Sequence, residues 1–95
     1  MMVTKEKMIE FANKNGLYIH PQVVRHWDEW LERTNVLGHC PCSPKRPECP
    51  CPQCVEEVRK SRRGACTCTV FCNDNYIETY GYHLKLKRED FYIPD

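Results

Sequence analysis

The residues able to do chemistry are eight cysteines in a chain of 95, arranged as Cys40-Pro-Cys42, Cys49-Pro-Cys51, Cys54, Cys66-Thr-Cys68 and Cys72. Packing does not call for thiols at that density, so the segment is stapled by disulfides, wrapped around metal or used for electron transfer. A structural zinc site favours Cys-x-x-Cys turns, because two intervening residues let both sulfurs converge on one tetrahedral ion. Only Cys51-Pro-Gln-Cys54 has that spacing; the other close pairs are separated by a single residue. Zinc is therefore disfavoured, although eight thiols would fill two four-cysteine sites. In Cys-Pro-Cys the proline fixes its own φ and pushes the preceding cysteine toward extended backbone. Extended residues i and i+2 point to a similar side, so one sulfur can bind a metal while its partner stands beside it. An iron–sulfur cluster takes four thiolates and would leave four cysteines for other work.

A chain this short implies one domain, residues 1–95, with a modest core that needs a staple. Fourteen Lys and Arg against thirteen Asp and Glu leave a formal charge of +1, so no global field draws it to nucleic acid or an anionic membrane. The N-terminus, Met1-Met2-Val3-Thr4-Lys5-Glu6-Lys7-Met8, has no apolar block. It reads as neither a secretion signal nor a membrane span, which implies a cytoplasmic, reducing setting. There a secreted-type disulfide scaffold is the weakest of the three uses, and cysteine clusters hold metal or cycle between thiol and disulfide.

The elements that must position these thiols are mainly helical. Thr4 to Asn15 places Met8, Ile9, Phe11 and Ala12 at helical spacing, with Thr4 as N-cap and Gly16 as stop. A second helix opens near Pro21, carries Val23, Val24, Trp27, Trp30 and Leu31 on its buried face, and ends at Gly38. It delivers the chain to Cys40, so its tryptophans form an apolar wall beside the cysteines. Five prolines in the thirteen residues from Cys40 to Pro52 inclusive exclude regular helix and predict a turn-rich loop. Pro52 opens a third helix through Arg63, with Val55 and Val58 inward, Gly64 as its end, and Cys51 and Cys54 at its dipole-positive N-terminus, which favours thiolates. In the remainder, Tyr80, Tyr82, Leu84 and Leu86 alternate with Gly81, His83, Lys85 and Lys87, which predicts a strand. The expected fold is a small, mainly α domain wrapped around a cysteine-ligated metal cluster, with a short β-like C-terminal extension over 74–95.

Cys-Pro-Cys, a second Cys-Pro-Cys, then Cys66-Thr-Cys68-Thr-Val70-Phe71 resembles the catalytic subunit of ferredoxin:thioredoxin reductase. Phe11-Ala12-Asn13-Lys14-Asn15-Gly16-Leu17, followed by Pro21 and a helix leading to Cys40-Pro-Cys42, matches that family's N-terminal helices in order and rough length. The resemblance covers about residues 5–73. It implies a [4Fe-4S] cluster ligated by Cys40, Cys49, Cys51 and Cys66, beside a redox-active pair formed by Cys42 and Cys68, with Cys42 as the attacking thiol. Electrons would come singly from ferredoxin or a similar donor and pass to a disulfide of a thioredoxin- or glutaredoxin-like protein. The chain departs from the family in the short gap between its two Cys-Pro-Cys elements and the long gap from Cys51 to Cys66. It also has Thr67 where family members carry a histidine suited to proton transfer. His39 is the nearest sequence candidate to supply the proton and His83 a weaker one, although an ordinary surface histidine is the blander reading of both.

Cys54 and Cys72 have no place in the family pattern. Burial as small hydrophobes is the plain reading, and a second redox pair or alternative ligands are the functional ones. Arg59-Lys60-Ser61-Arg62-Arg63 suits the negative end of a helix, and its functional alternative is docking of an acidic ferredoxin. A zinc-stabilised module binding protein or nucleic acid is the rival function, with nucleic acid the less favoured partner. An electron carrier without a catalytic disulfide is the third.

Overall fold

A computed structural model describes residues 2–40, 45, 49 and 51–94. The first helix, α1 (Lys5–Asn15), has the expected ends. Thr4 accepts the Lys7 N–H on its hydroxyl, and Gly16, at φ +64°, returns its own N–H to the Ala12 carbonyl. Met8 and Ala12 are buried, and the Phe11 ring lies 5.0 Å from Phe71. A short strand, β1 (Tyr18–Ile19), follows.

The expected second helix is two helices, α2 (Pro21–Val24) and α3 (Trp27–Leu37). The break falls at His26, at φ −139° and ψ 45°, and Asp28 and Glu29 then complement the dipole of the restarted helix. Gly38 closes α3 in the left-handed conformation, as its position predicts. Trp27 and Trp30 are half-buried against the core cluster that contains Cys40, Cys49, Cys51, Cys54 and Cys66. Asn35 ties α3 to the N-terminus, accepting the Val3 N–H and donating to the Val3 carbonyl.

The third expected helix is shorter than its pattern suggests: α4 runs Gln53–Lys60, with Cys54 and Val58 buried, and the chain turns extended at Ser61. After α4 the chain doubles back into β2 (Phe71–Cys72), which pairs antiparallel with β1 in the register Tyr18↔Cys72 and Ile19↔Phe71. Bridges Ala65↔Cys72 and Ile19↔Tyr92 extend this pairing on either side. None of these pairings is visible in the periodicity, because each involves only one or two residues.

The strand expected over 80–87 is not formed. Asn73 caps a short helix, α5 (Asp74–Tyr76), by accepting the Tyr76 N–H, and the chain continues into a π-helical turn over Ile77–Gly81. Lys85 then takes a left-handed φ of 59°, and a 3₁₀ turn covers Arg88–Asp90. The alternation misleads because its apolar members do not share a buried face. Tyr80, Tyr82 and Leu84 are exposed and Leu86 is only half-buried, so no apolar face selects a strand and local helical hydrogen bonding prevails. The fold is thus mainly α with a small two-stranded sheet, and its C-terminal extension is helical and turn-rich.

Gly64 joins α4 to this region at φ +72°. A Cβ there would lie 2.9 Å from the Tyr76 amide nitrogen and would run into the Asn73 side chain. Gly64→Ala is expected to lower unfolding free energy by more than about 2 kcal/mol. Gly38→Ala, whose added Cβ meets nothing within 4 Å, should cost only the left-handed backbone penalty of about 1 kcal/mol. Urea denaturation of the two variants compares them directly.

Candidate functional site

The site begins with the turn between Ala65 and Phe71. Cys66 donates its backbone N–H to the Phe71 carbonyl, while the Phe71 N–H points at the Cys66 sulfur from 3.4 Å. The turn closes with Thr69 N–H donating to the Cys66 carbonyl at 2.9 Å. Cys66 Sγ and Cys68 Sγ stand 3.6 Å apart, Cys66 buried and Cys68 half-exposed.

This turn is held from three directions. Arg63 donates from Nη2 to the Cys66 carbonyl at 3.1 Å and from Nη1 to the Thr69 hydroxyl at 3.4 Å. Gln22, on α2, donates to the carbonyls of Cys68 and Thr69, both at 3.2 Å. The Glu57 carboxylate, on α4, accepts the Thr67 N–H. Thr69 needs such support, because it sits at φ +60°. A β-branched residue in the left-handed region costs on the order of 1–3 kcal/mol and persists where its surroundings over-determine it.

Four further thiols share the core cluster of Cys66. Cys40, Cys49, Cys51, Cys54 and Cys66 are all buried in one core cluster. Burial pushes the Cys49 thiol up, and the neighbouring Cys40, Cys68 and Cys51 add to it. The Cys54 thiol is raised further still, first by its hydrogen bond to Cys66 and then by burial. Cys54 enters α4 one residue after its start, where the dipole favours a thiolate while the hydrogen bond to Cys66 and burial favour the thiol. Among the described residues no three His, Cys, Asp or Glu side chains form a ready-made metal-binding group. Contacts between thiols join Cys40 to Cys49, and Cys66 to both Cys54 and Cys68.

The structure thus brings Cys40, Cys49, Cys51 and Cys66 into one buried cluster with Cys68 beside it. Cys42, the other member of the expected redox pair, lies outside the described residues, as does most of the proline-rich loop. Cys72 is buried in the second, smaller core cluster with Tyr76 and Phe91, its thiol directed at the Tyr18 carbonyl from 3.7 Å. Burial raises it, with a further contribution from Cys66. His39 donates from Nδ1 to the Cys40 carbonyl at 2.9 Å, and His83 is exposed against Tyr82. Of the basic run, Lys60 pairs with Glu56 at 3.4 Å and Arg63 turns back onto the cysteine turn.

Sequence reasoning passed over His20, Gln22 and Glu57, and read Arg63 only as part of a charge run. His20 had one readable signal, its place immediately before Pro21 at a helix start. Its Nδ1 accepts the Gln22 N–H at 3.0 Å and its Nε2 faces the Tyr76 hydroxyl at 3.1 Å, which defines a neutral ring protonated at Nε2. Gln22 and Glu57 had none, since their targets are backbone atoms 46, 47 and 10 residues away, and Arg63 was concealed by its basic neighbours although its targets lie only 3 and 6 residues on.

No protein-family model, curated protein or solved structure matches this chain.

Burial, followed by the Arg25 charge, holds His20 below the ordinary histidine value of 6.5. The unfolded chain therefore takes up this proton before the folded one does. Stability from the neutral ring is complete above about pH 6.5 and is lost as pH falls toward the depressed folded value. His20→Asn keeps a capping side-chain oxygen but removes the titration. Urea midpoints at about pH 7.5 and about pH 5 should fall further on acidification in the wild type than in His20→Asn.

Proposed function

We propose that this chain is an iron–sulfur thiol–disulfide reductase. The observation that carries this reading is the buried thiol cluster with one half-exposed thiol at its edge. Cys40, Cys49, Cys51 and Cys66 share one buried core cluster, and Cys68 stands 3.6 Å from Cys66 with partial access to solvent. The donor set fits an all-thiolate centre: all four sulfurs are buried, Cys40 and Cys51 disfavour negative charge on Cys49, and cationic iron would relieve that cost. In this reading Cys40, Cys49, Cys51 and Cys66 hold a [4Fe-4S] cluster, and Cys42 and Cys68 form the exchanging pair. The cluster supplies one-electron storage next to a couple that needs two electrons.

The chain's own residues perform the exchange. The Cys42 thiolate attacks a disulfide of a thioredoxin- or glutaredoxin-like protein, forming a mixed disulfide and releasing one substrate thiolate, which takes up a proton. Cys68 then attacks the Cys42 sulfur, frees the second substrate thiol and leaves a Cys42–Cys68 disulfide. Two electrons, delivered singly by ferredoxin or a similar donor, and two protons restore the dithiol. His39 is the sequence candidate to pass a proton, through the ring nitrogen left over from its bond to Cys40. Arg59 and Arg62, exposed at the end of α4, offer positive charge to an acidic donor. No described helix is long and apolar enough to cross a membrane, and the proposed partners are proteins. A cytoplasmic location follows from the need for a reducing environment.

One contact favours the zinc-stabilised rival. Cys54 hydrogen-bonds to Cys66, so the Cys51-Pro-Gln-Cys54 pair and the Cys66 turn adjoin, as a tetrahedral four-thiol site would require.

Anaerobically purified protein should be brown, with about four iron and four sulfide per chain. Cys49→Ser and Cys66→Ser should lose most of the iron. Cys68→Ser should keep it but lose ferredoxin-driven reduction of a thioredoxin disulfide. A colourless protein holding zinc would establish the rival, and an iron protein whose turnover ignores Cys68→Ser would be an electron carrier.

A further inference from the structure

We infer that Arg63 is a positioning residue that keeps Cys68 against Cys66 by holding Thr69 in its left-handed conformation. This rests on the reading that Cys68 is a working thiol of the site. The guanidinium spans the turn, reaching the Cys66 carbonyl at one end and the Thr69 hydroxyl at the other. A planar fork can make both bonds at once, whereas a lysine ammonium is a point donor on a flexible stem. Gln22 completes the grip from α2 through the Cys68 and Thr69 carbonyls.

Backbone sterics alone would return Thr69 to negative φ. Such a change would swing the Cys68–Thr69 peptide and carry the Cys68 sulfur away from Cys66. The turn is therefore a sprung element, and the side chains that hold Thr69 come from α2 and from the segment after α4. Arg63 holds the spring through the Cys66 carbonyl and the Thr69 hydroxyl. Its presence in a basic run conceals this, because the run as a whole suits a solvated helix end.

The test is the rate at which iodoacetamide alkylates Cys68 in the reduced full-length protein, read by peptide mass spectrometry alongside the iron content of the same preparation. Loss of positioning frees the thiol, so Arg63→Ala should raise the rate about fivefold, the size expected for easier local opening. Arg63→Lys should raise it similarly, since it keeps the charge but not the fork. Arg63→Ala combined with Thr69→Gly should return toward the wild-type rate, because glycine adopts a positive φ without strain. A purely electrostatic role predicts the reverse, a slower reaction in Arg63→Ala with full restoration by lysine, and would overturn the inference. So would an unchanged rate in Arg63→Ala, or no rescue by Thr69→Gly. Should Arg63→Ala not fold, Gln22→Ala releases the other side of the same turn and must also accelerate alkylation. Absence of iron throughout would instead count against the reductase reading and leave the positioning result readable.

Discussion

Two residues of β1 lying against two residues of β2 join the parts of this molecule that sequence keeps apart. The pairing of Tyr18 and Ile19 with Cys72 and Phe71 places the start of α2 beside the cysteine turn. From there Gln22 reaches the Cys68 and Thr69 carbonyls, and the Val70 carbonyl accepts the His20 N–H. Ile19 also exchanges both backbone bonds with Tyr92, so the C-terminal segment closes over the same residue. A sheet this small contributes few hydrogen bonds. Its weight comes from register, because a shift of one residue would turn Ile19, fully buried, away from the core.

Burial of many thiols in one cluster is the second constraint, and it is electrostatic. Neutral thiols behave as small hydrophobes and pack without penalty, which lets cysteines take core positions beside Val58 and Phe71. Ionising them in place is costly, as the raised Cys49, Cys54 and Cys72 show. Cys68 differs in being half-exposed, packed against that cluster at its edge and held by the turn around it. The division between interior sulfurs and one edge sulfur underlies the proposed separation of ligation from exchange.

Legibility in the sequence followed the range of the forces involved. The ends of α1, the stop at Gly38 and the helix after Pro52 are local matters of side-chain capping, left-handed glycine and ring-fixed φ, and each was readable from a few neighbouring residues. The break at His26 and the π-helical turn at Ile77–Gly81 were not. The first interrupts an apolar face that reads as continuous. The second replaces a strand for which the alternation of Tyr80 to Lys87 gives a plain pattern but no buried face.

The amino-acid order by itself determined that eight thiols crowd one proline-rich stretch between helices. Stiff Cys-Pro-Cys units make that stretch suited to metal or redox chemistry, because ring closure and thiol chemistry act within a few residues. Only the tertiary structure decided which sulfurs neighbour one another, that Cys68 stays at the edge, and that Arg63, Gln22 and Glu57 converge on its turn. Those outcomes depend on where packing and the local turn direct each side chain, and residue types along the chain do not encode such directions.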